Sequence, residues 1–425
     1  MKVYLETLGC RLNEAEIEAM ARGFAGADHE IVQQPELADL CVINTCAVTA
    51  DAARTSRNRI RAFNRASPNA QIIATGCYTQ LAPDAVRAMP GVAAVVDNLQ
   101  KDRLVPIALH EPTEPMDAEP LAVDLQYRPG THGHTRAFVK VQDGCDNLCT
   151  FCITRVARGP GRSRAVGEIV AEINAMGAAG YREAVLTGVQ IGSYGERAGG
   201  LTDLLRTLLA ATDMPRLRIS SLEPWDLDAA FFRLWENPRL LPHLHLPLQS
   251  GCDAILRRML RRTDQAGYRA LVNMARGMIP DLALSTDVIV GFPGETAAEF
   301  AISRAFIEEM GFMRLHVFPY SPRPGTAAAR MRGQVEPPLA KARGEILRSV
   351  SAQGERAHLA RLANCPETVL WESVIGATEQ GWINSGLTRT YARAYWTGPR
   401  VLTNEVTHVR LGTVERDGLA VAEFV

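Results

Sequence analysis

Hydrophobic and polar positions in the first hundred residues alternate between short apolar runs and longer amphipathic stretches. Three runs rich in β-branched residues are typical of strands, at 3–10, 37–46 and 70–77, and helical patterns separate them. Strands that alternate with helices in this way predict a parallel sheet. We therefore expect an open parallel α/β domain over residues 1–105.

The middle of the chain shows the same alternation six times. The strand-like runs lie at 136–144, 183–189, 216–224, 243–251, 283–295 and 314–322. Amphipathic stretches at 166–179, 201–211 and 296–310 are typical of helices that cross between parallel strands. Six such units predict a partial (β/α)6 barrel, smaller than the eight-stranded form. With a helical arm at 335–363, this second domain spans residues 136–363.

Two further segments have a different pattern. Residues 106–135 contain the acidic, proline-rich stretch EPTEPMDAEP, which is unsuited to a helix or a central strand and predicts a linker. Residues 366–425 form short strand-like runs with a turn signal at Asp417-Gly418. They predict a small all-β barrel of the kind that binds oligonucleotides.

Composition limits the class of protein. Apolar residues make up 47% and charged residues 22% of 425 positions, which is ordinary for a globular protein, and no apolar run reaches the length of a membrane span. A cytoplasmic location is the expectation. Nine cysteines in such a chain are better interpreted as ligands or nucleophiles than as a disulfide framework. The net charge of −1 neither supports nor excludes a nucleic-acid partner.

Three of the cysteines, Cys145, Cys149 and Cys152, stand in the spacing Cys-x3-Cys-x2-Cys directly after the first strand of the predicted barrel. Barrel enzymes keep their active sites at this end of the strands. Three thiolates leave one position of a metal centre open, which suits an iron–sulfur cluster with one iron free for a substrate. The alternative is a zinc site completed by a distant histidine or cysteine.

Three other cysteines each end a predicted strand of the N-terminal domain: Cys10, Cys46 and Cys77. Because the carboxyl ends of parallel strands line one edge of a sheet, these thiols are expected to converge on a second metal site. The remaining cysteines lack partners at ligand spacing and are interpreted as structural; they are Cys41, Cys252 and Cys365.

The barrel triad, with Phe151 before its last cysteine, resembles the motif of the radical S-adenosylmethionine (SAM) enzymes. The resemblance implies a 4Fe-4S cluster on Cys145, Cys149 and Cys152, with SAM at the open iron. It also implies cleavage of SAM to a 5′-deoxyadenosyl radical that removes hydrogen from an unreactive C–H bond. Candidate SAM contacts besides Phe151 are Thr187, Gly188, Glu223, Gln249, Asp287 and Gly291 at barrel strand ends. A packing role is the alternative for each.

The N-terminal motifs TLGCRLNEAE, VINTCAVT and ATGCYTQ are similar to those of the methylthiotransferases. This resemblance covers the whole chain and implies a second 4Fe-4S cluster on Cys10, Cys46 and Cys77, together with a C-terminal TRAM-type barrel. It further implies sulfur insertion into a C–H bond, methylation by a second SAM, and an external electron donor such as flavodoxin or ferredoxin.

Three branches of that family modify threonylcarbamoyladenosine in tRNA, isopentenyladenosine in tRNA, or an aspartate of a ribosomal protein. The stretch TLGCRLN is most similar to the threonylcarbamoyladenosine branch, whereas the aspartate branch has a proline where this chain has Arg11. The anticodon loop of tRNA is therefore the expected partner. A non-enzymatic iron–sulfur protein that binds RNA is the alternative outside the family.

Basic residues give a mixed picture of RNA binding. Arginines at 54, 57, 61 and 65 share one helix face, and the stretch 155–164 carries four more beside the barrel triad. The helix face is equally consistent with a solvated surface, whereas the position of the stretch 155–164 favours an RNA contact over a flexible connection. The C-terminal barrel has five arginines against seven acidic residues, so only a local patch around Arg389, Arg393 and Arg400 with neighbouring aromatic residues favours RNA there.

Overall fold

The computed structural model of the protein describes residues 1–111, 129, 134–195 and 200–425. Most of the predicted linker, at 112–128 and 130–133, lies outside the described residues. Among the described residues, no helix is long and apolar enough to cross a membrane.

The N-terminal domain is a five-stranded parallel sheet. Its strands are β1 (Lys2–Thr7), β2 (Glu30–Val32), β3 (Leu40–Thr45), β4 (Gln71–Gly76) and β5 (Val92–Val95). Its helices are α1 (Arg11–Gly26), α2 (Ala50–Ala66), α3 (Cys77–Leu81), α4 (Pro83–Arg87) and α5 (Leu104–Ala108). The spatial order is 2-1-3-4-5. All six residues of β3 are buried, because helices cover both faces of this central strand.

The middle domain carries six parallel strands in sequence order. They are β6 (Ala137–Lys140), β9 (Glu183–Thr187), β10 (Arg216–Ile219), β11 (His243–His245), β12 (Ala283–Val290) and β13 (Arg314–Pro319). Two three-stranded sheets, β10-β9-β6 and β11-β12-β13, are joined by isolated parallel bridges from Leu217 and Ser221. The curved sheet is therefore the predicted partial barrel. A short antiparallel pair, β7 (Gln142–Asp143) and β8 (Arg162–Ser163), encloses the cysteine loop.

Helices cover the outside of this half-barrel. They are α7 (Val166–Ala178), α8 (Gly200–Ala211), α9 (Ala229–Phe232), α10 (Asp253–Arg258), α11 (Gln265–Met278), α12 (Ala297–Met310) and α13 (Pro337–Leu362). The short helix α6 (Thr154–Arg158) instead follows the cysteine loop and packs against α3 of the N-terminal domain. The helix α12 begins at a capping box in which Thr296 and Glu299 satisfy each other's backbone N–H groups. It ends at Gly311, whose left-handed φ of 57° favours glycine. The long helix α13 is the predicted arm, and it packs against β13.

The C-terminal segment closes into a five-stranded barrel of order β14-β15-β16-β18-β17. The strands are β14 (Pro366–Thr378), β15 (Gly381–Thr388), β16 (Arg393–Gly398), β17 (Val406–Glu415) and β18 (Gly418–Phe424). Trp371 fills its core and donates from its indole to Thr407 at 2.9 Å. The predicted fold class is thus confirmed for all three parts of the chain.

Two arginines of β10 attach this barrel to the half-barrel. Arg216 and Arg218 both pair with the fully buried Glu183, at 2.9 and 2.7 Å. Their remaining N–H groups donate to backbone carbonyls of the C-terminal barrel, including that of Thr388. A buried charge needs such partners, so this contact fixes where the barrel sits.

Candidate active site

The N-terminal thiols lie at the carboxyl ends of three neighbouring strands. Cys10 follows β1 and precedes α1, Cys46 follows β3, and Cys77 begins α3 directly after β4. The strand order reverses between β1 and β3, and open α/β sheets bind their ligands at such a switch point.

Glycines before two of these cysteines allow the thiols to approach each other. Gly9 has a φ of 106° and Gly76 a φ of 97°, a region that residues with a side chain rarely adopt. A Cβ atom on Gly9 would lie 2.6 Å from the Cys46 sulfur, and one on Gly76 would overlap the backbone of Thr45. Both turns therefore require glycine.

The second triad lies in the loop after β7. The Cys145 thiol donates to Gln190 Oε1 at 3.2 Å, and Cys152 is exposed, with its thiol 3.1 Å from Thr154 Oγ1. Cys149 has the guanidinium of Arg261 3.9 Å from its sulfur. The loop thus presents two partly buried thiols and one exposed thiol.

The thiols of both triads suit a bound metal cluster. Burial, and to a lesser extent the neighbouring thiols, raise the pKa of Cys46 and of Cys145 to about 11. Burial also raises the pKa of Cys10 and Cys149, although Arg158 and Arg261 oppose it. Thiolates in these positions therefore need a cation to balance them, and the irons of a cluster supply that charge. In the part of the chain that the structure describes, each set has three cysteines and no fourth, which fits a 4Fe-4S cluster with one open iron.

All six cysteines line one cavity of about 860 Å³, which opens between the N-terminal sheet, the half-barrel and the C-terminal barrel. Its lining is cationic, with seven arginines against three carboxylates. The arginines are Arg11, Arg136, Arg155, Arg158, Arg261, Arg314 and Arg393; the carboxylates belong to Glu14, Glu223 and Asp287. Five of these arginines pair with carboxylates, whereas Arg11 and Arg155 have none within ion-pair distance among the described residues, and these two cations suit an anionic substrate.

The predicted SAM contacts divide into two groups. Those that line the cavity are Phe151, Gly188, Glu223, Gln249 and Asp287. The other two lie outside the lining: Thr187 is buried at the end of β9, and the Cβ position of Gly291 faces Ala340 of α13 at 2.6 Å. Contact with the arm explains glycine at 291 by packing. For all seven residues, a SAM-binding role stays a prediction.

Arg261 is a site residue that the sequence pattern did not single out. It is buried between Cys149 and Glu223, whose carboxylate it contacts at 2.7 Å, and it also donates to the carbonyl of Pro247. Its guanidinium lies over the ring of Trp225 at 4.5 Å. Arg261 therefore positions Glu223 and places a positive charge beside a cluster thiolate. In the sequence, Arg261 is one of four arginines in the stretch LRRMLRRT (256–263), and the pattern does not distinguish it from the others.

A second unexpected group is a buried ion network behind both triads. Arg158 donates to Glu16 and to Asp143, each at 2.9 Å, and Lys101 donates to Glu16 at 2.8 Å. All four side chains are nearly inaccessible to solvent. Despite its burial, the pKa of Glu16 is lowered by Lys101 and Arg158, so it is ionised. Arg158 of the stretch 155–164 thus links two domains, whereas Arg155 is exposed and Arg162 is 39% exposed, and an RNA contact through these two stays a prediction.

Three side chains on adjacent strands form a further polar group in the cavity. His245 Nε2 lies 3.2 Å from Asp287 Oδ1, and the ring of His316 lies 5.4 Å from that of His245. Ser285 connects His245 to His243 through its hydroxyl, at 2.9 and 3.1 Å. Because the side chains alternate along parallel strands in register, they face the same side.

The C-terminal barrel contributes one residue to the cavity lining from the turn between β15 and β16, Tyr391, and a second from β16, Arg393. The Tyr391 ring stacks on His243 with 4.8 Å between centroids. The three arginines predicted as an RNA patch each have a carboxylate partner, Arg389 in Glu367, Arg393 in Asp417 and Arg400 in Glu405, and their role toward RNA stays a prediction. On α2, the arginines at 54, 61 and 65 are exposed, and Arg54 pairs with Asp51.

The half-barrel and its loop of three thiols define a radical SAM enzyme. Residues 139–307 match the radical SAM superfamily, and residues 2–97 match the family described as uncharacterized protein family UPF0004. A threonylcarbamoyladenosine tRNA methylthiotransferase MtaB of Bacillus subtilis is 35% identical over 96% of this chain and 93% of its own. The MtaB of Thermotoga maritima is 34% identical over 98% of this chain and 96% of its own length. The chain belongs to the radical SAM methylthiotransferase family.

A second kind of relative also matches most of the chain. The tRNA-2-methylthio-N(6)-dimethylallyladenosine synthase of Anaeromyxobacter dehalogenans is 37% identical over 77% of this chain and 73% of its own. Among solved structures, the radical SAM methyltransferase TsrM from Kitasatospora setae has a TM-score of 0.58 at 15% identity, covering 77% of each chain. The latter similarity shows a shared fold.

Proposed function

We propose that this chain inserts sulfur into C2 of N6-threonylcarbamoyladenosine next to the anticodon of tRNA and methylates it, giving the 2-methylthio derivative. The observation that carries this proposal is that both thiol triads open onto one cationic cavity. A group held in that cavity lies within reach of both triads at once. Such an arrangement suits a reaction that activates a C–H bond and replaces its hydrogen with sulfur at the same carbon.

Two 4Fe-4S clusters and SAM are the cofactors in this proposal. Cys145, Cys149 and Cys152 would hold the cluster that binds SAM, and Cys10, Cys46 and Cys77 the auxiliary cluster. When bound, these groups supply the radical, the sulfur and, from a second SAM, the methyl group. The chain itself supplies position: Arg261 orients Glu223, and the half-barrel holds Phe151, Gln249 and Asp287 around the same space.

The reduced cluster needs an electron from outside. Cys152 is exposed, and Leu148 and Val156 beside it are 65% and 60% exposed. An exposed apolar surface next to a redox centre suits transient docking of a small electron carrier such as flavodoxin or ferredoxin. Because tRNA is the substrate in this proposal, we also infer a cytoplasmic location.

The threonylcarbamoyl substrate is favoured by the relatives that match nearly the whole chain. Three MtaB relatives match 96–98% of it, which includes the C-terminal barrel, whereas three others match 80–84% and the two dimethylallyladenosine synthases match 77% and 84%. That barrel contributes to the cavity. Modification of dimethylallyl (isopentenyl) adenosine is the second candidate, since the 37% identity of one such synthase is the highest of these eight.

Mass spectrometry of nucleosides from bulk tRNA tests the proposal. In cells that lack the gene, the methylthio form of threonylcarbamoyladenosine should disappear and its precursor should accumulate. The intact gene and a Cys365→Ala variant should restore it, because Cys365 belongs to neither triad, while Cys10→Ala and Cys145→Ala should not. Loss of the methylthio dimethylallyl nucleoside instead would establish the second candidate. No change in either nucleoside would refute a tRNA substrate of this kind.

A further inference from the structure

Arg11 differs from most cationic side chains of the cavity. It is the first residue of α1, directly after Cys10, and its guanidinium donates to the Tyr391 hydroxyl at 2.6 Å. No carboxylate lies within ion-pair distance of Arg11 among the residues that the structure describes. Five other arginines of the lining do have one; they are Arg136, Arg158, Arg261, Arg314 and Arg393. Arg11 is thus a half-buried cation that still lacks a counter-ion.

The hydroxyl of Tyr391 also has an unused hydrogen-bonding capacity. It accepts from Arg11 at 2.6 Å and from Arg136 at 3.1 Å. Guanidinium groups only donate, so both bonds use lone pairs of the hydroxyl oxygen, and its own hydrogen remains to be given to an acceptor. The arginine side chains present at this point therefore offer no acceptor for that hydrogen.

Tyr391 is held firmly in this position. Its backbone has a φ of 71°, the ring stacks on His243, and Arg218 lies over it at 4.6 Å. Although burial acts in the opposite direction, Arg136, Arg11 and Arg218 lower the pKa of Tyr391. The surroundings of the hydroxyl thus carry a positive potential that favours negative charge.

We propose that Arg11 and Tyr391 bind the carboxylate of the amino-acid group on the substrate nucleoside. The inference rests on the proposed function, in which the threonine moiety carries that carboxylate. Arg11 would donate from the guanidinium N–H groups not used on Tyr391, and the Tyr391 hydroxyl would donate its free hydrogen. Arg11 is next to Cys10, so the carboxylate would sit beside the auxiliary triad.

This pair also gives a physical basis for substrate choice. A dimethylallyl group has no charge, so its entry would cover Arg11 with apolar atoms and leave the cation without a partner. A threonylcarbamoyl group supplies the missing counter-ion. Selection would need all three domains, because Arg11 comes from the N-terminal sheet, Arg136 from the start of the half-barrel and Tyr391 from the C-terminal barrel.

Two anticodon stem-loops test this role, one carrying threonylcarbamoyladenosine and one carrying its methyl ester, which lacks the negative charge. Binding by fluorescence anisotropy and kcat/KM for methylthiolation should be measured with reconstituted enzyme. For the intact enzyme we expect the free acid to be preferred by about 10- to 100-fold, the range of a charged hydrogen bond. Arg11→Gln should bring the ratio of acid to ester close to one.

Tyr391→Phe keeps the ring, removes the hydroxyl and should lower the ratio of acid to ester by about three- to tenfold. Because the ring is retained, this variant tests the inference if Arg11→Gln is poorly stable. Arg155→Gln is the matched control: this exposed arginine also lines the cavity, and its loss should weaken both ligands equally. Equal weakening of acid and ester by Arg11→Gln would overturn the inference. If the intact enzyme converts neither stem-loop, the proposed function itself fails, which is a different result.

Discussion

Arg158→Met should destabilise the protein more than any exposed arginine substitution. The side chain is 2% exposed and contacts Glu16 and Asp143 at 2.9 Å each. Without Arg158, Glu16 keeps its ion pair with Lys101 at 2.8 Å, whereas the remaining ion-pair partner of Asp143 among the described residues is Arg162 at 3.6 Å. Removing one partner from a buried pair leaves an uncompensated charge, which costs about 3–5 kcal/mol.

Urea unfolding of the reconstituted protein under anaerobic conditions, followed by circular dichroism, measures this loss. Arg162→Met is the control, since Arg162 is 39% exposed and its contact with Asp143 is longer; we expect a change below about 1 kcal/mol. Asp143→Asn removes the stranded charge and keeps an acceptor for the N–H of Gly144. In the double variant with Arg158→Met, it should recover at least about 1 kcal/mol.

Two outcomes would refute this reasoning about Arg158. One is a loss below about 1 kcal/mol, which would mean that the network is hydrated or replaceable. The other is full additivity of the two substitutions, because a stranded carboxylate must be relieved when its charge is removed.

Two further predictions concern the N-terminal domain. Gly76→Ala should lower the iron content of the purified protein to about half, because the new methyl group overlaps the Thr45 backbone and displaces the adjacent cysteine. Gly26→Ala, whose Cβ would meet open space, should leave the iron content unchanged. A full iron content in the Gly76→Ala variant would contradict the steric argument. Burial raises the pKa of Glu18 to about 8, so the folded state holds a proton that the unfolded state releases above about pH 4.5. The free energy of unfolding should therefore fall between pH 6 and pH 8 by up to about 1.4 kcal/mol per pH unit. Glu18→Gln should remove this contribution to the pH dependence, as measured by urea titrations at several pH values. An unchanged pH dependence would show that Glu18 is ionised in the folded protein.

The parts of the site that follow from local pattern could be predicted from the sequence. Periodicity locates the strands, and a cysteine at a strand end is brought to the sheet edge by the fold itself, as at Cys10, Cys46 and Cys77. Glycine is different: the sequence offers Gly291 as a candidate SAM contact, and only the structure shows that its Cβ position lies against Ala340. A glycine in the sequence indicates that a side chain would not fit at that position. The sequence does not show which neighbouring atoms would clash with it.

The contacts between domains could not be predicted in the same way. Arg11 and Tyr391 are 380 positions apart, and their contact depends on how the C-terminal barrel docks against the half-barrel. That docking is set by Arg216 and Arg218, which stand in a strand where apolar residues are usual. Buried arginines at such positions indicate an interface, although the sequence does not name the partner. For the same reason, the net charge of residues 366–425 does not show whether the C-terminal barrel takes part in the site. Tyr391 belongs to the cavity because of where the barrel docks, and its contribution does not depend on that net charge.

One contact between the N-terminal domain and the half-barrel lies close to both triads. Glu16 lies six positions after Cys10 along α1, and Arg158 lies six positions after Cys152 along α6. Because these two side chains form a buried ion pair at 2.9 Å, each triad is anchored to the other through one short stretch of chain on either side. A reaction that must act on one carbon from two directions tolerates little change in that separation. The ion pair therefore does more than stabilise a domain interface: together with other contacts between the two domains, such as that of Arg22 with Glu172 at 2.8 Å, it holds the triads at one separation, as the proposed chemistry requires.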